Sequence, residues 1–305
     1  MPDDSPSAAM RDDLFDAAFL GRVEQLALLA RRMATSGAQA HRRSKKLGSG
    51  IEFAEHRDYT PGDEPGQIDW ALFARSDDLQ VREFEEEEDL SVYFLVDHSL
   101  SMGVGPEDTP TLLDRALQLS AALAYISLSN LDRVAAVPFA QGAAQPMRPL
   151  RGRGQFFRLL RALSAIAPEG KTAIGKTIDE FLRYQPRKGL VVLISDFFDP
   201  TGLGDALKQL VHRGFQPMLL HLVDGALLQA GSFGDVALVD SETGELHEVT
   251  LTPAMMAEYA VAFAAFCAEI DLAARQVAAL CLRLEVAVPY DEAVLRVFRA
   301  GGFLG

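Results

Sequence analysis

Residues 91–101 read SVYFLVDHSLS, and the fold turns on them. The first six are a β-branched and aromatic run bounded by polar residues, which predicts a buried strand. Asp97, Ser99 and Ser101 then follow at alternate positions, in the loop that leaves that strand. Downstream, strand-like runs at 134–139, 189–195, 215–223 and 282–288 alternate with helical periodicity at 155–166, 174–184, 203–211 and 292–299. Thr109-Pro110 opens a helix with Leu113, Ala116, Leu117, Ser120, Ala124 and Leu128 on one face, and Thr252-Pro253 opens a long one to about residue 280. Residues 236–249 read as a hairpin turning at 241–244. Near-continuously apolar strands between helices predict a doubly wound, mostly parallel α/β sheet covered on both faces, spanning residues 90–305.

Upstream, residues 1–89 predict an irregular N-terminal extension packed on that core. Leu14, Phe15, Ala18, Phe19, Leu26, Leu29 and Met33 recur at three- and four-residue steps, an amphipathic helix over about 12–34. From 37 to 89 glycines and prolines punctuate short pieces, of which 79–84 alternates as a strand does. Residues 83–89 hold six acids in seven positions, either a solvated lead-in to the first strand or a charged face for a basic partner surface. Arg42, Arg43, Lys45 and Lys46 read as a solvated face. Trp70 reads as a packing anchor between the extension and the core.

Composition narrows the function. The 305 residues are 49% hydrophobic and 24% charged, ordinary for a globular chain. With 29 basic against 43 acidic residues the net charge is −14, which disfavours nucleic acid and anionic membrane surfaces as partners. Only Cys267 and Cys281 are present, too few for a disulfide scaffold or a cysteine zinc site. No start-of-chain signal and no apolar run of spanning length is evident, so no membrane insertion and a cytoplasmic location are expected.

In a doubly wound sheet, binding collects at the carboxyl ends of the strands. There Asp97, Ser99 and Ser101 supply a carboxylate and two hydroxyls, a donor set suited to Mg2+. The strand at 189–195 ends in Ser195-Asp196, which brings Asp196 to the same edge, and the loop at 170–172 offers the Thr172 hydroxyl. Together they form a five-residue metal constellation.

That constellation resembles the metal-ion-dependent adhesion site of von Willebrand factor A-like domains. The block Glu52-Phe53, Glu55, Arg57, Tyr59, Pro61-Gly62-Asp63, Ile68-Asp69-Trp70, Ala74-Arg75, Leu79, Val81-Arg82, Phe84 and residues 86–88 resembles domain of unknown function family 58, in which such a block precedes a von Willebrand A-like, Rossmann-type fold. The resemblance covers about residues 40–300. It implies Mg2+ (or Mn2+ or Ca2+) held directly by Ser99 and Ser101, by Thr172 directly or through water, and by Asp97 and Asp196 through waters. It further implies a non-enzymatic protein-interaction module that captures an acidic side chain of a client, working with a MoxR-type AAA+ ATPase in protein assembly or remodelling. The chain departs from the family at Gly66-Gln67, where Arg is usual, and in lacking the N-terminal spans of many members.

Two enzymatic alternatives compete. Residues 170–177, GKTAIGKT, match the Walker A string of a P-loop nucleotide-binding protein, with Lys176 and Thr177 at its functional positions. A P-loop must follow a strand, however, and the residues before Gly170 read as a helix. A metal-dependent hydrolase using Asp97 as a phosphoryl acceptor wants a second carboxylate two residues on, where Ser99 stands.

Overall fold

A computed structural model describes residues 12–33, 47–48, 52–85, 90–105, 109–142, 147–199, 202–225, 234–239, 245–301 and 303. The chain divides into two compact units, one of Met1–Met33 with Leu90–Leu304, the other of Ala34–Asp89 with Gly305. Helix α1 (Ala17–Met33), preceded by a 3-10 turn at Asp12–Phe15, therefore belongs with the larger unit and not with an N-terminal extension running to residue 89. Its stripe of Phe19, Val23, Leu26, Ala27 and Ala30 is buried in the core of the α/β unit, which is the physical reason.

In the smaller unit, β1 (Leu47–Gly48), β2 (Glu52–Asp58) and β3 (Gln80–Glu85) form an antiparallel sheet in the order β1-β3-β2. Helix α2 (Trp70–Ser76) lies between β2 and β3 in the chain. The ProGlyAsp and IleAspTrp strings are structural here. Asp63 accepts from Arg57 Nη2 at 2.9 Å and from the Thr60 amide at 2.8 Å, and these bonds push its pKa down to about 2. Asp69 caps α2 by accepting from the Ala71 and Leu72 amides at 3.0 Å, and it also holds His56 Nε2 at 3.0 Å. Trp70 is 57% exposed, its ring edge-on to Phe73 in the same helix. The basic positions 42–46 and the acids at 86–89 lie outside the described residues.

The larger unit is built on β4 (Ser91–Asp97), α3 (Leu112–Ser129), β5 (Arg133–Phe139), β6 (Leu150–Arg151), α4 (Phe156–Ser164), α5 (Ile174–Arg183), β7 (Gly189–Ser195), α6 (Leu203–His212) and β8 (Gln216–Val223). The chain continues through an antiparallel hairpin, β9 (Gly234–Val239) and β10 (Leu246–Leu251), whose turn lies outside the described residues. It ends in α7 (Pro253–Gln276), β11 (Leu280–Glu285) and α8 (Tyr290–Arg299).

The main sheet has the order β11-β8-β7-β4-β5-β6, with every neighbouring pair parallel except β6 against β5. This is the doubly wound, mostly parallel α/β architecture. All seven residues of β4 are buried because both faces are covered. Val92, Phe94 and Val96 face a core shared with α1, α3, α4 and α8, while Tyr93 and Leu95 face one shared with α5, α6 and α7. From β4 the chain winds outward through β5 to β6, then returns to the other flank of β4 with β7. The strand order reverses there, so a crevice opens at the carboxyl ends of β4 and β7.

Candidate metal centre at the carboxyl edge of the sheet

Two loops meet over that crevice. The loop leaving β4 is stitched to the loop before α5 by paired backbone bonds: Leu100 N–H donates to Gly170 O at 3.0 Å and Glu169 N–H to His98 O at 2.8 Å. The His98 side chain adds a third tie, Nδ1 to Ala167 O at 2.8 Å, so His98 serves the loop structurally. Gly170 sits at φ +66, and a Cβ there would stand 3.2 Å from the Gln141 side chain, so this bend is glycine's. The Ala173 N–H to Ala140 O bond anchors the far end of the loop to the chain beyond β5.

The result places four of the five expected residues in mutual contact. Thr172 Oγ1 lies 3.0 Å from Asp97 Oδ2 and 3.0 Å from Ser99 Oγ, and Ser99 Oγ lies 3.1 Å from Ser101 Oγ. Asp97 Oδ1 accepts the Ser99 amide at 2.9 Å. Asp97 and Ser99 are fully buried, Thr172 nearly so, and Ser101 is half-buried at the mouth. Burial pushes the Asp97 carboxyl above its ordinary pKa, while hydrogen bonds from Ser195, Ser99 and Thr172 pull against it.

The spacing fits a small hard cation. Neighbouring ligands of an octahedral Mg2+ at about 2.0–2.1 Å from the metal are about 3.0 Å from one another, the separation of these hydroxyls. The donors are all oxygens. Among the described residues no trio of His, Cys, Asp or Glu side chains is placed to hold a metal, and the donors gathered here are hydroxyls beside one carboxylate.

Asp196, the fifth expected residue, follows directly on β7 at the same edge and is 2% exposed. Its Oδ1 accepts the Phe198 amide at 3.1 Å. Between them Phe197 is fully buried at φ 57, a left-handed conformation that an aromatic residue adopts at a cost. Ser195, which the motif did not single out, holds this turn: its Oγ accepts the Phe197 amide at 2.8 Å and donates to Asp97 Oδ2 at 2.5 Å.

The Walker-like string has no nucleotide-loop geometry. Coil follows α4 and leads to Gly170, and α5 begins at Ile174, in the middle of the string. Thr177 is fully buried with its hydroxyl donating to Ala173 O at 2.8 Å, and Lys176 lies 3.9 Å from Glu180 one helical turn on.

A family model described as "Protein of unknown function DUF58" matches residues 55–267. An uncharacterized protein of Mycobacterium tuberculosis is 28% identical over 269 residues, which cover 87% of this chain and 84% of that protein. An uncharacterized protein of Mycobacterium avium is 30% identical over 136 residues, 44% of this chain and 80% of its own length. Among solved structures, the conserved hypothetical protein BatB from Bacteroides thetaiotaomicron is similar with a TM-score of 0.46 at 19% identity, covering 69% of this chain and 98% of that one. The mussel byssus proximal thread matrix protein 1, solved with a zinc-occupied MIDAS motif, gives a TM-score of 0.32 at 17% identity over 44% of this chain and 35% of its own.

Proposed function

The chain belongs to the DUF58 family, and we propose that it is a non-enzymatic protein-interaction module whose carboxyl-edge site binds a divalent cation. One observation carries the reading: three hydroxyls spaced 3.0–3.1 Å apart along the chain Ser101–Ser99–Thr172, beside the buried carboxylate of Asp97. Mg2+ is the favoured ion, with Mn2+ and Ca2+ as alternatives. Ser99, Ser101 and Thr172 would hold it, with Asp97 and Asp196 supplying the negative charge behind them. Bound there, the ion would act as a Lewis acid with an open position for a carboxylate.

This chain's own residues orient and shield. The backbone ties between the two loops fix Thr172 over Ser99, and burial of Asp97 excludes bulk water behind the cradle, so access is from the Ser101 side. An acidic side chain of a client protein is the proposed ligand on that side. Ser99 occupies the place where a phosphoryl-transfer enzyme needs its second carboxylate, which favours binding over turnover. The proposed partner, a MoxR-type AAA+ ATPase acting in the cytoplasm on assembly or remodelling of the client, rests on the resemblance of the upstream block to the family.

Thermal melts with Mg2+ and with chelator test the metal. Mg2+ is expected to raise the Tm of the parent and to leave Ser101→Ala and Asp97→Asn unmoved. Equal rises in all three would remove the ion from this site. Retention of a purified MoxR-type ATPase by the parent, lost in chelator, tests the partner.

A further inference from the structure

Charge is laid out unevenly along the chain. Residues 133–168, 36 in all, hold six arginines and no acid, within a protein whose net charge is −14. The fold joins part of that stretch to the end of α3 in one strip. The strip starts at the amino end of β5, away from the edge that carries the cradle, and continues onto α4. Arg151 Nε donates to Leu131 O at 2.9 Å. Arg153 Nε donates to Ser129 Oγ at 2.9 Å, and its guanidinium lies 5.8 Å from the centre of the Tyr125 ring. Tyr125 meets Phe156, the first residue of α4, edge-on at 4.8 Å. Phe157, Arg158 and Arg161 then stand on the outward side of α4, over the buried Phe156, Leu159, Leu160 and Leu163. Arg158 and Arg161 are exposed, and neither side chain bonds or pairs with another among the described residues.

Two large apolar side chains share the strip, Phe157 at 67% and Leu131 at 56% exposure. Leu131 is the more telling. It follows α3 at φ +66, with its N–H on Leu128 O at 3.2 Å and the Asp132 N–H on Ser127 O at 3.0 Å. That closure puts a left-handed residue where glycine is the usual choice. A leucine there costs about 1–2 kcal/mol of backbone strain. Its side chain contributes little to the core in return. Strain of this kind, kept at an exposed position, points to function.

We infer that this strip docks an acidic segment of a partner protein, its carboxylates pairing with Arg153, Arg158 and Arg161 and its apolar side chains covering Phe157 and Leu131. Arginine and aromatic residues are the types enriched at protein interfaces and dominant in their energetics. The guanidinium fork matches a carboxylate, and residues 133–168 supply none of their own. Nucleic acid also suits guanidiniums, but its charge extends far past the strip, over a chain that is acidic elsewhere. A segment of a few residues ends where the strip ends. This surface lies apart from the cradle, needs no metal, and stands whether or not the cradle holds one.

The test uses the full chain and two fluorescein-labelled peptides, Glu-Leu-Glu-Asp-Phe-Glu-Glu and its uncharged isostere Gln-Leu-Gln-Asn-Phe-Gln-Gln, read by fluorescence anisotropy. The acidic peptide is expected to bind about tenfold more tightly. The double variant Arg158→Gln, Arg161→Gln is expected to weaken it about fivefold, and Phe157→Gln about threefold. These side chains are exposed, so the variants keep the fold. The control Lys208→Gln, Arg213→Gln removes the same charge from the exposed side of α6 and should leave the affinity within about twofold. Chelator should also leave it within about twofold, which separates failure of this surface from failure of the metal site. Equal binding of the two peptides, no saturable binding of the acidic one, or equal weakening by the two double variants would overturn the inference. So would tighter binding of a single-stranded thymidine heptamer than of the acidic peptide.

Discussion

Ser195 Oγ donates to Asp97 Oδ2 at 2.5 Å across 98 residues of chain, joining the ends of the two central strands. The contact exists because β4 and β7 pair in parallel with Val96 opposite Ile194, so the next residue of each strand emerges side by side. The same oxygen accepts the amide of left-handed Phe197 at 2.8 Å. One hydroxyl therefore orients the carboxylate of the cradle and fastens the turn that carries Asp196. Ser195→Ala removes both bonds inside the fold, leaving a buried amide donor and a buried carboxylate each short of a partner. The expected cost is about 2 kcal/mol. For a unit of this size that corresponds to a Tm lower by about 4–8 °C. Urea unfolding of parent and variant measures it, and a change within about 0.5 kcal/mol would show that the turn holds without Ser195.

Close approach of the same two strands gives the second prediction. A Cβ on Gly189 would stand 2.0 Å from Ser91 O and 2.8 Å from Ser91 C, both backbone atoms of the paired strand. Backbone cannot swing aside as a side chain can, so Gly189→Ala must separate the strands whose far ends carry Asp97 and Ser195. A loss of about 3 kcal/mol or more is expected. Gly175 is the contrast, because a Cβ there meets nothing within 4 Å and the residue is inside α5. Gly175→Ala should leave stability unchanged or raise it by up to about 1 kcal/mol. Denaturant midpoints are the expected readout, with Gly189→Ala well below the parent and Gly175→Ala at or above it.

How much of this was legible beforehand follows from which signals are local. Residues 91–97 and 189–195 announce themselves as strands by composition, and Asp97, Ser99, Ser101 and Thr172 by their place just after strands or before a helix. Ser195 was not legible as a site residue: a serine before an aspartate reads as turn chemistry until β4 and β7 are known to be neighbours, and that adjacency is set by a crossover through β5, β6, α4 and α5. Helix α2 was missed for a different reason. Its seven residues, WALFARS, are too few to show a helical period, and the cap that starts it, Asp69, is recognisable only from its bonds to Ala71 and Leu72. An amphipathic helix was legible at α1, but its buried stripe runs through Val23, Ala27 and Ala30 as well as Phe19 and Leu26 while Leu29 is exposed, and periodicity says nothing of which core a stripe joins; α1 joins the α/β unit. That Leu131 and Phe157 stand in solvent was hidden, since exposure is a property of the assembled fold.

The third prediction concerns pH and rests on His221. Burial, and next the positive charge of Arg283, push its pKa down from 6.5 to about 4; the charge of Asp271 and the Asp196 carbonyl oppose this and lose. In the unfolded chain the imidazole takes its proton near its ordinary value. Between about pH 6.5 and 4 the unfolded state therefore holds a proton that the folded state refuses, and stability falls as the pH falls. Above pH 6.5 both states are neutral at this residue and it contributes no pH dependence. Below about pH 4 both are protonated and the loss has reached its full extent, about 3 kcal/mol. His221→Gln keeps a polar side chain of similar reach and cannot titrate, so its unfolding free energy should fall less than the parent's across this window, with the two profiles diverging by up to that amount. Asp63, whose pKa is pushed down to about 2 by Arg57 and Thr60, keeps its contribution through the window and loses it only below about pH 4, so it does not blur the comparison. Urea unfolding at half-unit steps of pH reads the difference directly. Parallel profiles would mean that His221 takes its proton inside the fold at an ordinary pH, which requires an acceptor or a water at Nε2 that neutralises the penalty of burial.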